Sequence, residues 1–154
     1  MDVKQLPWSV AELLPHSRSM VLIDRAIDAG DDWASAGVRI AEDSLFYDPL
    51  LKGVPAWVGI EYMAQTVALF SGVQARRAGK EVKLGLLLGT RRYEVNESTF
   101  ALGSYLTVRV TREWDDAQMA AFDCTVTGQR TLASARVNVY LPGDLQAFLD
   151  GGAP

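Results

Sequence analysis

The sequence predicts a single α+β domain in which an antiparallel sheet of five or six strands wraps around one long central helix. Three observations support this fold class. An almost uncharged stretch in the middle of the chain has the length of a buried helix, segments on both sides of it alternate apolar with polar residues, and no linker or repeat divides the 154 residues. Because 49% of the residues are hydrophobic, the chain can bury one core, and we assign residues 1–154 to one domain.

A short helix is predicted first, over residues about 8–15. Ser9 is a suitable N-cap, and Glu12 three residues later completes a capping box. The central helix is predicted over residues about 55–78, where Pro55 suits the first turn and a glycine follows the last. Polar residues interrupt this stretch, so a helix within a soluble core is favoured over a membrane span.

The strands are predicted from alternation with a period of two residues. The clearest alternating segments begin at Ala34, Leu106, Ala120 and Ala133, and the less regular segments 20–28 and 83–95 are rich in the aliphatic residues of strands. Asp115 and Asp116 offer a turn between two of these strands. The last residues, 151–154, are predicted to be disordered.

Charge and cysteine content restrict the classes of function. The 15 basic residues against 19 acidic ones give a net charge of -4, which is not typical of a nucleic-acid-binding protein. The single cysteine, Cys124, cannot form an internal disulfide bond. The first residues lack the basic start and apolar run of a signal peptide, so we expect a cytoplasmic protein.

Glu61 is the first candidate for chemistry, because it is the one charge within the apolar part of the central helix. A carboxylate is costly to bury without a partner, and a desolvated carboxyl group has a raised pKa that suits an acid or base near neutrality. The structural alternative is that Glu61 only fixes the helix through a hydrogen bond to the backbone or to Gln65, one turn later.

Two motifs resemble the bacterial 3-hydroxyacyl-carrier-protein dehydratases. Residues 14–25, LPHSRSMVLIDR, are similar to the Leu-Pro-His signature of that family, which ends with an aliphatic run and Asp-Arg. Residues 59–65, GIEYMAQ, resemble the family's Glu-Ala-Met-Ala-Gln helix, in which the glutamate is catalytic. The two motifs occur in the family's order and with a similar separation.

The resemblance implies a hotdog fold, in which the sheet wraps the long helix and two subunits join edge to edge with active sites at their interface. The implied partner subunit is either a second copy or another hotdog dehydratase. The implied reaction removes water from a 3-hydroxyacyl thioester on acyl carrier protein to give the trans-2-enoyl thioester. No metal or other cofactor is expected.

One position departs from the family pattern. The family has a catalytic histidine fourteen residues before the helix glutamate, and in this sequence that position is Tyr47. The family's glycine, whose backbone N–H polarises the thioester carbonyl, corresponds to Ala56, which retains the N–H. Sequences with this departure resemble dehydratases encoded in aryl-polyene clusters.

Dehydration needs a base, an acid and a donor for the developing oxyanion. We assign the acid to Glu61, the donor to the Ala56 N–H and, as a hypothesis, the base to His16, the one histidine in the chain. The alternative for His16 is that it orders the turn after the first helix. Among the neighbours, Tyr47 is expected to orient the substrate.

Two further residues are expected at the substrate. Gln65, on the same helical face as Glu61, is expected to orient its carboxylate. Trp57 is expected to belong to the core or to the wall of the acyl tunnel, as are other apolar residues at helical spacing.

A local excess of positive charge predicts how a carrier protein docks. Acyl carrier proteins are acidic, and the segment after the central helix contains Arg76, Arg77, Arg91 and Arg92. The alternative is that these arginines only solvate the end of the helix and the following strand.

Three classes of function remain open at this point. The chain is an active dehydratase of fatty-acid or polyene-type lipid biosynthesis, a non-catalytic hotdog subunit that partners an active dehydratase, or a hotdog thioesterase in which Glu61 activates water. Incubation with a 3-hydroxyacyl carrier protein distinguishes the three classes. An enoyl product indicates a dehydratase, release of free thiol indicates a thioesterase, and neither product indicates a non-catalytic subunit.

Overall fold

The structure, a computed structural model, describes residues 6–14, 20–80, 86–116 and 119–140, without the side chains of 86–88. Within these ranges the helices are α1 (Val10–Leu13) and α2 (Gly59–Arg77), and a 3₁₀ turn, Ala56–Val58, precedes α2. The strands, in chain order, are β1 (Arg25–Ala29), β2 (Trp33–Arg39), β3 (Gly53–Pro55), β4 (Leu86–Val95), β5 (Thr99–Ala101), β6 (Tyr105–Asp115), β7 (Met119–Thr127) and β8 (Thr131–Tyr140).

The main sheet is antiparallel and has six strands in the order β1-β2-β6-β7-β8-β4. This confirms the predicted architecture of a sheet wrapped around one long helix. A second, two-stranded sheet pairs β3 with β5. The small sheet was not predicted because three-residue strands are too short to display a period.

Buried and exposed residues alternate along the strands, and the buried face of the main sheet packs against α2. On β6, Leu106, Val108 and Val110 are buried, while the residues between them are partly or fully exposed. The facing side of α2 buries Met63, Val67, Phe70 and other apolar residues. Phe70 of α2 meets Phe122 of β7 edge to face, with ring centroids 5.4 Å apart. Full burial of such a side chain contributes roughly 1.5–3 kcal/mol, so this layer supplies much of the fold's stability.

The ends of α2 differ slightly from the prediction. The predicted range 55–78 includes the 3₁₀ turn, in which Pro55 is the N-cap. At the other end Gly79 has φ of +69°, and the backbone N–H groups of Gly79 and Lys80 donate to the carbonyls of Arg76 and Ala75. These paired bonds form a Schellman motif, which needs the left-handed conformation that glycine provides.

The first helix is shorter than the predicted 8–15, but its cap is as predicted. Ser9 is the N-cap of α1, and Ser9 and Glu12 form both hydrogen bonds of a capping box. The helix lies directly on α2 at Gly72, where a Cβ atom would overlap the backbone of Leu13. A small residue is therefore required at this crossing.

Several predictions fall outside the described residues. These are the Pro15-His16 part of the Leu-Pro-His motif, the beginning of the predicted strand 83–95, and the predicted disorder of 151–154. Among the helices that the structure describes, none combines the length and apolar character needed to cross a membrane.

Candidate active site

Glu61 lies on a face of α2 that the described residues leave open. The exposed or partly exposed positions of the helix and its first turn include Trp57, Glu61, Ala64 and Ala68, which follow one another at helical spacing. The Glu61 side chain is exposed, so the described residues do not supply the apolar environment that a desolvated carboxyl group would need. The reason is geometric, because the sheet covers one side of α2 and the described residues leave the other side uncovered.

Gln65 is the buried residue beside Glu61, and it connects the two motifs. Its Oε1 accepts a hydrogen bond from the backbone N–H of Leu22 at 2.8 Å, and its Nε2 donates to the carbonyl of Met20 at 2.8 Å. The same Nε2 donates to Oε1 of Glu61 at 3.3 Å. Because Gln65 is 1% exposed, the side chain is held in place and presents one N–H to the carboxylate. Its catalytic role stays a prediction.

His16 lies outside the described residues, so its assignment as the base stays a prediction. Met20 and Leu22 follow it in the same motif and are bound to Gln65. The described end of the Leu-Pro-His motif therefore reaches the helix at the residue that also contacts Glu61.

The predicted oxyanion donor is already engaged. The Ala56 N–H donates to the carbonyl oxygen of Ser98 at 3.0 Å, so the assignment of this N–H to the substrate is wrong for the structure as it stands. This bond extends the β3–β5 pairing by one residue beyond Pro55 and Thr99. The pairing joins residues that are more than forty positions apart in the sequence. Sequence reasoning had no signal for that pairing.

The next backbone amide, that of Trp57, is the better placed donor. It has no acceptor among the described residues, as expected for an N–H in the first turn of a helix. Helix N-termini carry a partial positive charge that favours a developing anion. The Trp57 side chain is 58% exposed, so it is not part of the core, contrary to one of the two expectations for it.

The loop with Tyr47 lies beside this helix start. Phe46, with φ of +70°, places its ring against Trp57, edge to face, at 5.2 Å between centroids. Tyr47 is half-buried and packs against the core, and its N–H donates to the Ser44 carbonyl at 3.0 Å. The position where the family has its histidine therefore comes close to the first turn of α2, although a role of Tyr47 with substrate stays a prediction.

Tyr93 was not identified from the sequence, which offers no motif around it. Its hydroxyl donates to the carbonyl oxygen of Ala56, at the start of α2. Burial raises the pKa of Tyr93 to about 12. The phenol is therefore a hydrogen-bond donor across the physiological pH range.

The four arginines predicted to dock a carrier protein do not form one patch within this chain. Arg76 Nη2 donates to the Glu12 carbonyl at 3.0 Å, and Arg77 Nη2 donates to the carbonyl of Ala29 at 3.1 Å, at the end of β1. Arg91 and Arg92 lie on β4, which is the edge strand of the main sheet opposite to β1. The strand order, which sequence reasoning did not determine, separates the two pairs.

Comparison with protein families gives a match over almost the whole chain. The model of the ApeP-like family, described as ApeP dehydratase, matches residues 8–150. A comparison with curated proteins finds no match.

Solved structures agree with the fold. The dehydratase heterocomplex ApeI:P from Xenorhabdus doucetiae matches with a TM-score of 0.85 and 26% sequence identity, over 92% of this chain and 96% of that chain. A hypothetical thioesterase from Streptococcus pneumoniae TIGR4, solved with coenzyme A, has a TM-score of 0.63 and 11% identity over 78% of this chain and 86% of that one. The E. coli PaaI protein has a TM-score of 0.59 and 14% identity, over 75% and 80%. At these last identities the likeness concerns the hotdog fold alone.

Proposed function

The chain belongs to the ApeP-like dehydratase family, and from this premise we propose that it dehydrates a 3-hydroxyacyl thioester, carried on acyl carrier protein, to the trans-2-enoyl thioester. The site is completed by a second hotdog subunit. One observation carries the proposal. The Glu61 carboxylate, hydrogen-bonded to the buried Gln65, lies on an open helix face, one turn from the Trp57 N–H.

These groups suit the acid and the oxyanion donor of the reaction. A base removes the proton from the carbon next to the thioester carbonyl, and the electron pair moves onto the carbonyl oxygen, where the Trp57 N–H stabilises the charge. The electrons then return to form the carbon–carbon double bond, and the 3-hydroxyl group leaves as water with the proton of Glu61. We assign the base to His16, as the one histidine of the chain.

A second subunit would supply what the single chain lacks at this site. Glu61 is exposed in the chain alone, and a general acid is more effective when water is excluded. Large apolar side chains are exposed around the start of α2, at Phe46, Leu50, Leu51 and Trp57. Such exposed apolar surface is typical of an interface. The related ApeI:P protein is a dehydratase heterocomplex, which favours another hotdog dehydratase as the partner over a second copy.

The test is the product formed from a 3-hydroxyacyl carrier protein. The purified chain is assayed alone and after co-expression with a hotdog dehydratase subunit from the same genome, and enoyl formation is followed beside release of free thiol. We expect enoyl product from the co-expressed pair and little thiol. Thiol release as the main reaction would instead identify a thioesterase.

The non-catalytic alternative gives a different result in the same assay. If this chain only completes the partner's interface, the pair forms enoyl product, but the rate is insensitive to replacement of Glu61 in this chain. Size-exclusion chromatography with mass determination tells whether the pair has assembled, so that failed assembly is distinguished from failed chemistry.

A further inference from the structure

Tyr93 reaches the start of α2 because β4 is irregular at this point. The pairing of β4 with β8 shifts between Arg91 and Glu94, so that Arg92 and Tyr93 together oppose a single residue of β8. Arg92 has φ of +56°, a left-handed conformation that residues other than glycine rarely adopt. A β-bulge of this kind redirects a side chain and is common beside active sites. Here it directs a tyrosine to the 3₁₀ turn that precedes α2.

The helix start is adapted to the tyrosine as well. Gly59 is the first residue of α2, and a Cβ atom at this position would overlap the Tyr93 hydroxyl. The absence of a side chain at Gly59 therefore leaves the space in which the hydroxyl meets the Ala56 carbonyl. The bulge and the glycine lie on different elements, and both serve one hydrogen bond.

That hydrogen bond acts on a single peptide group. The carbonyl of Ala56 and the N–H of Trp57 belong to the same planar, trans peptide unit, so the two groups point in opposite directions. The Ala56 oxygen accepts from Tyr93 and from the N–H of Gly59. Two donors on the oxygen fix the plane of the peptide and therefore the direction of the Trp57 N–H. They also polarise this N–H and strengthen it as a donor.

We infer that Tyr93 is a positioning residue, whose hydroxyl holds the Ala56–Trp57 peptide so that the Trp57 N–H stays aimed at the thioester oxygen of the substrate. The inference rests on the proposed function of the site. Tyr93 hydrogen-bonds to the carbonyl oxygen of this peptide, so it acts on the reaction through the amide on the other side. Its loss affects the charge that develops on the oxygen more than it affects binding of the uncharged thioester.

The first test is Tyr93→Phe in the co-expressed pair. Removal of a complete oxyanion donor costs about 10²–10³ in kcat, and loss of its orientation alone is expected to cost about tenfold, with KM within about twofold. Tyr105→Phe is the matched control, since Tyr105 is a half-exposed tyrosine on β6 whose ring stacks below Arg25. Unchanged kcat in a folded Tyr93→Phe variant would overturn the inference.

A second variant separates positioning from general loss of structure. Gly59→Ala displaces the Tyr93 hydroxyl sterically, so it is expected to lower kcat to a similar extent. Because both changes remove the same hydrogen bond, the double variant is expected to be no slower than the slower single variant. Multiplied effects on kcat in the double variant would contradict a shared mechanism.

A readout that needs no activity keeps this inference separate from the proposed function. In a ¹H–¹⁵N spectrum of the pair, Tyr93→Phe is expected to shift or broaden the Trp57 backbone resonance, whereas Tyr105→Phe leaves it in place. A wild-type pair without enoyl product would refute the proposed function, and the Trp57 resonance would still decide whether Tyr93 fixes the peptide. A Trp57 resonance that does not move in Tyr93→Phe would refute the role of Tyr93 in fixing this peptide.

Discussion

The two ends of α2 differ in how far their polar groups are bonded to the rest of the chain. At its C-terminal end, Gly79 closes the backbone in a Schellman motif, Arg76 and Arg77 donate to carbonyls of α1 and β1, and α1 packs directly against Gly72. At its N-terminal end, the Trp57 amide has no acceptor within the described residues, and the side chains of Trp57 and Glu61 are exposed.

The difference separates an end of the helix that stabilises the fold from an end that carries the proposed chemistry. At the C-terminal end, the Schellman bonds and the bonds from Arg76 and Arg77 to other elements anchor the helix in the fold. At the N-terminal end, Tyr93 hydrogen-bonds to the Ala56 carbonyl and Gln65 to the Glu61 carboxylate, which holds these groups in position. The side chains of Glu61 and Trp57 are exposed, as the proposed function requires of groups that meet a substrate.

The largest effect on stability is expected at the C-terminal end of α2. Gly72→Val would force a branched side chain into the backbone of Leu13, and overpacking of this kind costs about 2–3 kcal/mol of unfolding free energy. Chemical denaturation measures the loss, and activity per folded molecule is expected to be retained. Loss of activity in molecules that remain folded would mean that the two ends are not independent.

Gln65→Leu is expected to affect both stability and activity, because this residue links the fold to Glu61. Leucine removes two partly buried hydrogen bonds, from the N–H of Leu22 and to the carbonyl of Met20, each of which contributes roughly 0.5–1.5 kcal/mol. Turnover is expected to fall as well, since the carboxylate loses the Nε2 donor. Denaturation and enoyl formation are measured on the same preparation. A stability loss with unchanged turnover would remove Gln65 from the site.

The pH dependence of stability tests the burial of Tyr93, which lies at the N-terminal end of α2. Its pKa is raised to about 12 by burial, so the folded state retains the phenol proton where an exposed tyrosine begins to lose it. The unfolded state therefore binds fewer protons between about pH 10 and 12, and the free energy of unfolding is expected to fall as the pH rises through that range. In Tyr93→Phe this fall is expected to be shallower than in Tyr105→Phe, as measured by denaturation at each pH. Equal slopes would contradict the burial of this phenol.

The smallest effect is expected for Arg77→Met, which keeps much of the side-chain length but removes one hydrogen bond to the Ala29 carbonyl. A partly exposed bond of this kind contributes roughly 0.5–1.5 kcal/mol, and no change in turnover is expected. Thermal unfolding measures the loss of stability, and the enoyl assay measures turnover. A large loss of turnover would assign Arg77 to carrier docking instead of to the anchored helix end.

The overall architecture and the local features were predicted well, but the pairing of distant segments and the covered side of the helix were not. The capping box of α1 and the Gly79 end of α2 depend on residues close in sequence, so the pattern alone identified them. The engagement of the Ala56 N–H by Ser98 depends on β3–β5 pairing. The exposure of Glu61 depends on which side of the helix the rest of the chain covers, and a one-dimensional pattern does not contain that information.

The central claim is that the N-terminal end of α2 performs chemistry through Glu61, and one substitution in the assembled pair tests it most directly. Glu61→Gln in this chain keeps the shape and the hydrogen bond to Gln65 but removes the acid, and kcat for enoyl formation is expected to fall by about 10²–10⁴-fold. Glu113→Gln, an exposed glutamate of β6, is the control and is expected to leave kcat unchanged. A pair that contains Glu61→Gln and turns over at the wild-type rate would contradict the account.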